Sequence, residues 1–312
     1  MTEGIDIRAA KAATTDWSWH ENAQRAERKA KKFDRIATFV VWLFSFVGLG
    51  VLFLIIGIVF ARGLLTALSP GFVFGKPQAI NAGGGIGPMV VSSFYLALLA
   101  IAVVLPLGVG AAIYMVEFAR EGRIIRLVRF AADTLSTVPS VVFGIFGMVL
   151  FVIYFGLGYS LLAGALTLAL LNLPTVMRIS EESLRAVPYS YREASIGLGA
   201  TRWYTVRKAV LPSALPGITT GAVLTIGRIV GESAAIIYTV GIFVRKIPLS
   251  PLQPAAPMAA NIWHMYTEGA LVPDWMRVAN GEAAFLLLVV LALNLLARYA
   301  TRLYRKRLGS SR

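Results

Sequence analysis

The chain has 312 residues, 57% hydrophobic and 15% charged, with a mean hydropathy of +0.71, which excludes a soluble domain of this length and indicates a polytopic membrane protein. Cysteine is absent, so there is no disulfide framework and no thiolate metal site. The net charge of +14 does not by itself point to nucleic acid, because its placement along the chain decides its meaning.

Residues 1–35 are polar and carry the basic run Arg25, Arg28, Lys29, Lys31, Lys32 and Arg35. Trp17 and Trp19 suit a membrane surface, and a loosely ordered cytoplasmic tail is the expected state. Ile36–Phe60 is longer than a signal-peptide core and lacks a small-residue cleavage pattern, so it reads as a retained first transmembrane helix. Arg62–Pro88 reads as an external loop, with Asn81-Ala82-Gly83-Gly84-Gly85-Ile86-Gly87-Pro88 its most flexible part. That glycine run has neither a preceding strand nor a Lys-Ser/Thr ending, so it is not a phosphate cradle. No Walker motif occurs elsewhere, and the chain is not expected to hydrolyse ATP.

Helix two is expected over Met89–Val116, followed by Arg120, Arg123, Arg126 and Arg129 at every third residue of a helix lying on the membrane. Helix three is expected over Phe130–Phe155. Thr134, Ser136, Thr137, Pro139 and Ser140 near its start predict a kink buried by protein or lining a cavity. Helix four spans Leu161–Met177, includes Asn172 and Pro174, and ends at Arg178.

The polar stretch 181–216 then separates two membrane-length apolar runs and must sit at a membrane face. It reads as two short helices. Ser190 and Glu193 have capping-box spacing, Gly197 and Gly199 supply a stop, and Thr201 caps the second helix. Trp203, Val206 and Val210 share a face of that helix, and Pro212 and Pro216 close it. Helix five, Gly217–Val240, carries Arg228 and Glu232, four residues apart and so on one helical face. A charge at membrane depth costs at least about 2.5–3.5 kcal/mol, so the two should face a wet interior, paired. A guanidinium stays charged and offers a fork of donors to an oxyanion. Residues 241–281 are proline-rich, with Trp263, Tyr266 and Trp275 as interfacial anchors. Helix six, Glu282–Ala297, leads into a basic C-terminal tail, residues 301–312. His20 and His264 are far apart and show no metal-ligand spacing.

With six spans over residues 36–300, 24 of the 30 Lys and Arg fall on the side of the two termini and of the 181–216 stretch. The other side holds Arg62, Lys76, Arg245, Lys246 and Arg277. This bias puts the termini and the polar stretch in the cytoplasm. The basic charge is therefore topological, and nucleic-acid binding is not expected.

Glu193-Ala194-Ser195, Gly199 and Leu211-Pro212 resemble the EAA loop of ABC importer permeases, with Ser in place of the second Ala. The resemblance implies an all-α fold of the type I ABC importer permease (MetI-like) class. It also implies that Glu193, Ala194, Gly199, Leu211 and Pro212 belong to a coupling element that docks on a separate ATPase.

Gly227-Arg228-Ile229-Val230-Gly231-Glu232-Ser233-Ala234 further resembles the signature of phosphate importer permeases, as do Leu173–Arg178, Ser180–Glu182 and Gly85–Pro88. With Val138–Gly144 and the basic start before helix one, the similarity is to the PstA-type subunit over its PstC-type partner. Ser233 replaces the usual Thr, and Ala235 stands where Pro is common. The implied assembly lies in the bacterial inner membrane among its lipids. It contains a second, PstC-type permease, two ATPase subunits and a periplasmic or lipid-anchored phosphate-binding protein, with ATP and Mg on the ATPase and no cofactor on this chain. Arg228, Glu232 and Arg178 are the expected substrate-pathway residues. A permease for sulfate or molybdate is the near alternative. A proton-coupled carrier using Asp133, Glu232 and Arg228 would have no need of the coupling stretch.

Overall fold

A computed structural model describes residues 7–78, 84–120, 122–242, 246–269 and 274–307. By packing, the chain divides into two units, Met1–Ile58 and Val59–Arg312. All regular structure among the described residues is helical.

The first unit is formed by α1 (Ile7–Ala67), whose last residues belong to the second. The backbone is helical from Ile7, where a loosely ordered tail was expected. Composition explains the difference: Ala, Lys, Arg, Glu and Gln dominate residues 8–32, and these side chains lose little freedom in a helix. Beyond them the helix turns apolar, with Phe39, Trp42, Phe46 and Leu54 all exposed. Such a surface suits lipid as its solvent.

In the second unit, helix one ends at Ala67, so the expected loop from Arg62 begins later. A short α2 (Pro70–Val73) follows. The described part of the glycine run is pinned rather than slack. Gly85 N–H donates to Lys76 O (2.9 Å), Ile86 N–H to Phe72 O (2.8 Å) and Gly87 N–H to Gly75 O (3.0 Å). Ile86 is fully buried. Asn81–Gly83 and Arg245 lie outside the described residues.

Helix α3 (Gly87–Ile113) ends in a π turn, Tyr114–Phe118. The expected third span is two limbs, α4 (Arg123–Thr137) and α5 (Ser140–Gly147) with its π continuation Met148–Tyr154. They meet at 101°. Pro139 is the cause: it drives the preceding residue out of the helical region, and Val138 is extended (φ −70, ψ 130).

Helix α6 (Leu161–Arg185) continues past the expected end at Arg178. No breaker intervenes, and the i,i+4 pairs Arg178–Glu182 (3.3 Å) and Arg185–Glu181 (3.0 Å) favour continuation. After α7 (Tyr189–Gly197), the helix runs from α8 (Arg202–Thr205) through a π turn, Val206–Val210, into α9 (Leu211–Gly231). Pro212 and Pro216 therefore sit inside a span and do not close a helix. The π turn immediately before Pro212 absorbs the N–H that proline lacks and the bulk of its ring. A short α10 (Ala234–Ile237), α11 (Met258–Glu268) and α12 (Trp275–Arg307) complete the chain. Helix six thus starts before the expected Glu282.

Among the described residues, five helices are long and apolar enough to cross a membrane, and the bent α4–α5 pair makes a sixth span if counted as one. The core lies where α3, α6 and α9 meet, with α12 packed on α9. Leu96, Ala100, Leu161, Ala165, Leu168 and Ile229 are at its centre. A second cluster at the other end of the same helices joins Ala112, Leu184, Val187, Val210, Ala214 and Ile218.

Gly147 of α5 touches Thr167 of α6 so closely that an added Cβ would collide with the threonine side chain. Thr167 is buried and bonded to Ala163 O (2.8 Å), so it cannot swing away freely. Gly147→Ala should destabilise the protein by about 1–3 kcal/mol. Gly110→Ala, where nothing lies within 4 Å of the new Cβ, should be neutral or stabilising by up to about 1 kcal/mol. Thermal unfolding of the two variants in detergent checks the contrast.

Candidate functional site

The polar stretch folds into a tight elbow. Pro188 precedes α7 with extended backbone (φ −54, ψ 140), and no side chain caps that helix. Ser190 and Glu193 do not form the expected capping box, because both already lie within the helix that starts at Tyr189. At the other end the expected stop is present. Gly199 has φ +83, a conformation open to glycine without a Cβ clash, and Leu198, Gly199 and Ala200 N–H bond the last carbonyls of α7. Gly197 itself is helical. Thr201 then caps α8, its Oγ1 accepting from Tyr204 N–H (3.3 Å).

Glu193, Ala194 and Gly199 are exposed on this elbow, beside Tyr189, Ile196, Leu198 and Trp203. Val206 and Val210 are buried as the shared face required, whereas Trp203 is turned outward and meets Phe118 at a ring distance of 6.3 Å. Leu211 and Pro212 are half-buried inside the span, with Leu211 packed on the second core cluster. They belong to the support of the elbow and not to its exposed surface. Ser195, the departure from the EAA pattern, gains a partner: its hydroxyl lies 2.9 Å from that of buried Thr205, stitching α7 to α8.

A single arginine holds the elbow to the membrane helices. Arg192 of α7 donates from Nη2 to Glu117 Oε1 (2.6 Å) and from Nε to both carboxylate oxygens (3.2 and 3.3 Å). It also donates to the carbonyls of Val187 (2.9 Å) and Leu184 (3.0 Å) just past and within the end of α6. The two side chains are only 13% and 9% exposed. One guanidinium therefore joins the end of α3, the end of α6 and the elbow helix. Sequence reading missed both partners, since 75 residues separate them and Arg192 looks like one more cytoplasmic cation.

The membrane residues are arranged differently from expectation. Arg228 lies in the last turn of α9, but the helix ends at Gly231 and Glu232 is extended (φ −74, ψ 129). The two do not share a helical face, and they form no ion pair or hydrogen bond with each other among the described residues. Arg228 is exposed on the surface of the chain and Glu232 is half-buried. Ala235 is fully buried against Gly144 of α5, which explains a small residue there. Helices α6 and α9 run antiparallel, with Gly217 against Ser183 and Gly221 against Ile179. Extending that register puts Arg228 at the level of Asn172, six residues and so about 9 Å along the axis from Arg178 at about 1.5 Å per residue.

Arg178 is not brought to Arg228. It pairs with Asp133 of α4 (3.4 Å) and with Glu182 (3.3 Å). One turn on, Arg129 of α4 pairs with Glu181 (2.9 Å), which also meets Arg185. These residues line a cleft of about 500 Å³ between α4 and α6. A further feature absent from the sequence reading is buried polarity near the start of α12. Glu282 is fully buried and accepts from Asn261 Nδ2 (2.6 Å), fixing α11 on α12. A carboxylate at the head of an apolar run was the available signal.

Comparison with known proteins places this arrangement. The family described as "Binding-protein-dependent transport system inner membrane component" matches residues 104–310. The chain is 37% identical over 286 residues to the probable ABC transporter permease protein YqgI of Bacillus subtilis, covering 88% of this chain and 97% of that one. It is 36% identical over 246 residues to the phosphate transport system permease protein PstA 1 of Mycobacterium tuberculosis, covering 77% and 79%. To PstA of Yersinia pestis it is 34% identical over 224 residues, covering 71% and 74%. Among solved structures, the fold is similar to the MetNI methionine ABC transporter (TM-score 0.54, 22% identity, 70% and 94% covered). It is also similar to a bacterial alginate ABC transporter (TM-score 0.58, 14% identity, 88% and 95% covered).

Removing Arg192 would strand a nearly buried carboxylate and expose two helix-end carbonyls. Arg192→Ala should cost about 3–5 kcal/mol, the range for breaking a buried pair. Arg185→Ala, at the exposed side of its pair, should cost under about 1 kcal/mol. Hydrogen exchange of the α7 amides should rise in the first variant only.

Proposed function

The chain belongs to the family of binding-protein-dependent transport inner membrane components, and from that premise we propose that its cargo is inorganic phosphate. It is a permease subunit of an ABC importer, a transport subunit whose ATPase activity lies on a separate chain, working with a second permease and a substrate-binding protein. Phosphate permeases named PstA are among its relatives at about one third identity or above, and they support the finer reading.

The observation that carries it is Arg228: an exposed guanidinium in a membrane-spanning helix, without an ion-pair or hydrogen-bond partner among the described residues. A charge so placed cannot face lipid without a cost of at least about 2.5–3.5 kcal/mol. It therefore faces the seam with the second permease, of PstC type, where the two chains form a wet pathway. There its fixed charge and planar donors suit a phosphate oxyanion. Glu232, close by in sequence but not bonded to it, lowers the local field so that a dianion passes rather than stays. Arg178, neutralised by Asp133 and Glu182, lies toward the cytoplasmic exit.

The elbow around Glu193, Ala194 and Gly199 docks into the ATPase. Closure of two ATPase subunits around ATP and Mg moves the elbow, and the spans rock about the Arg228 level from inward- to outward-facing. Phosphate delivered by an external binding protein then enters. In this reading both termini and the elbow lie in the cytoplasm of a bacterium, the chain crosses its inner membrane, and it carries no cofactor of its own. The structural neighbours are named for methionine and alginate, so fold alone does not choose a substrate; Arg228 suits any tetrahedral oxyanion, and the PstA relatives favour phosphate over sulfate or molybdate.

Arg228→Gln should abolish ATP-dependent uptake of labelled phosphate in proteoliposomes while the assembled complex still purifies intact. Retained uptake, or equal competition by sulfate, rejects the phosphate reading. Gly199→Val forces a β-branched residue to φ +83, at a strain of about 1–3 kcal/mol. It should reduce ATPase co-purification and uptake together, and unchanged co-purification would reject the docking role.

A further inference from the structure

Helix α4 and the turn before it carry guanidinium groups that no carboxylate neutralises among the described residues. Arg120, in the turn before the helix, and Arg123 and Arg126 within it are exposed and make no ion pair among the described residues. Arg129, next in the same row, differs by pairing with Glu181. At about 100° per residue, Ile124, Leu127, Val128 and Leu135 gather on one side of α4. Arg126, Arg129 and Asp133 gather on the other, and Arg123 lies at the border. Ile124, Leu127, Val128 and Leu135 are all exposed, while Ile125 on a third side anchors the helix to Met115 and Met177. The helix is bound to α6 through Ile125, Arg129 and Asp133, leaving the apolar flank open and Arg123 and Arg126 exposed.

Its direction completes the argument. The apolar limb Ser140–Tyr154 enters the membrane, and α4 is bent 101° from it, so α4 lies across that limb and along the membrane surface. A helix in that plane with one apolar and one basic flank sits at the boundary between headgroups and acyl chains. Arginines placed there meet phosphodiester oxygens, and each is worth about 1 kcal/mol toward an anionic leaflet.

We propose that Arg120, Arg123 and Arg126 form a binding surface for anionic phospholipid headgroups, with Ile124, Leu127 and Leu135 seated in the acyl region below them. The occupant is lipid and not the ATPase because the flank beside the arginines is apolar and continuous with the membrane limb. Anionic lipid would thereby hold α4 in the plane from which Arg129 and Asp133 reach α6.

The absence of cysteine in this chain gives a direct test. Leu127→Cys carries an environment-sensitive fluorophore in the assembled importer, with partner subunits made cysteine-free, in proteoliposomes of phosphatidylcholine mixed with phosphatidylglycerol. Emission should be quenched by brominated phosphatidylglycerol more strongly than by brominated phosphatidylcholine. In the triple variant Arg120→Gln, Arg123→Gln, Arg126→Gln that preference should fall by at least about fivefold, the factor corresponding to the roughly 1 kcal/mol of a single arginine, while quenching by brominated phosphatidylcholine persists. Three results would overturn the proposal: no quenching by either lipid, which means protein covers the face; equal quenching in the unmodified sequence; or a preference abolished by millimolar inorganic phosphate, which marks a free-anion site. None of these readouts requires phosphate uptake, so they stand apart from the test of cargo.

Discussion

The contact between Arg192 and Glu117 is the constraint through which the two ends of this protein communicate. A guanidinium nearly closed off from water is tolerable only where every donor finds an acceptor, and here the acceptors come from three elements: a carboxylate at the end of α3 and two carbonyls at the end of α6, reached from the elbow helix. The helix-end carbonyls would otherwise lack partners, so the same side chain satisfies α6 and binds α3. The elbow cannot shift without taking both membrane helices with it. Ser195 with Thr205 and Phe118 with Trp203 add shorter stitches around this joint.

The opposite design holds in the membrane. Arg228 has no acceptor among the described residues, and the proposed cargo role rests on that absence of compensation. The arginines of α4 and α6 show the contrast, since Arg129, Arg178 and Arg185 are each matched by carboxylates. Charge is neutralised where helices are joined and left exposed at the positions proposed to meet an anion or a lipid.

Local chemistry made part of this readable in advance. Thr201 and Gly199 act through backbone geometry within a few residues of themselves, so their cap and stop could be read from the sequence and are found in place. Pro139 likewise announced a break, although the right-angle bend exceeds a kink because Val138 must be extended as well. The failures are also physical. The pattern at Pro212 and Pro216 predicts a helix end, but a π turn and the surrounding packing carry them within a span. Arg228 and Glu232 were assigned one face on the assumption of unbroken helix, and Gly231 ends it between them. Glu117 with Arg192, and Asn261 with Glu282, depend on contacts between distant segments that no periodicity reveals.

The π turn at Val206–Val210 has a consequence for how the chain tolerates length changes. Such a turn houses an extra residue relative to the ordinary helical ladder, so it takes up a one-residue difference locally and leaves the regular helix beyond it nearly in phase. Losing one residue there would restore regular winding with the far half of α9 nearly in place, whereas losing one from the regular helix after it would turn everything downstream by roughly 100°. The orientation of Arg228 relative to the elbow thus tolerates a change of residue count inside this turn and not beyond it.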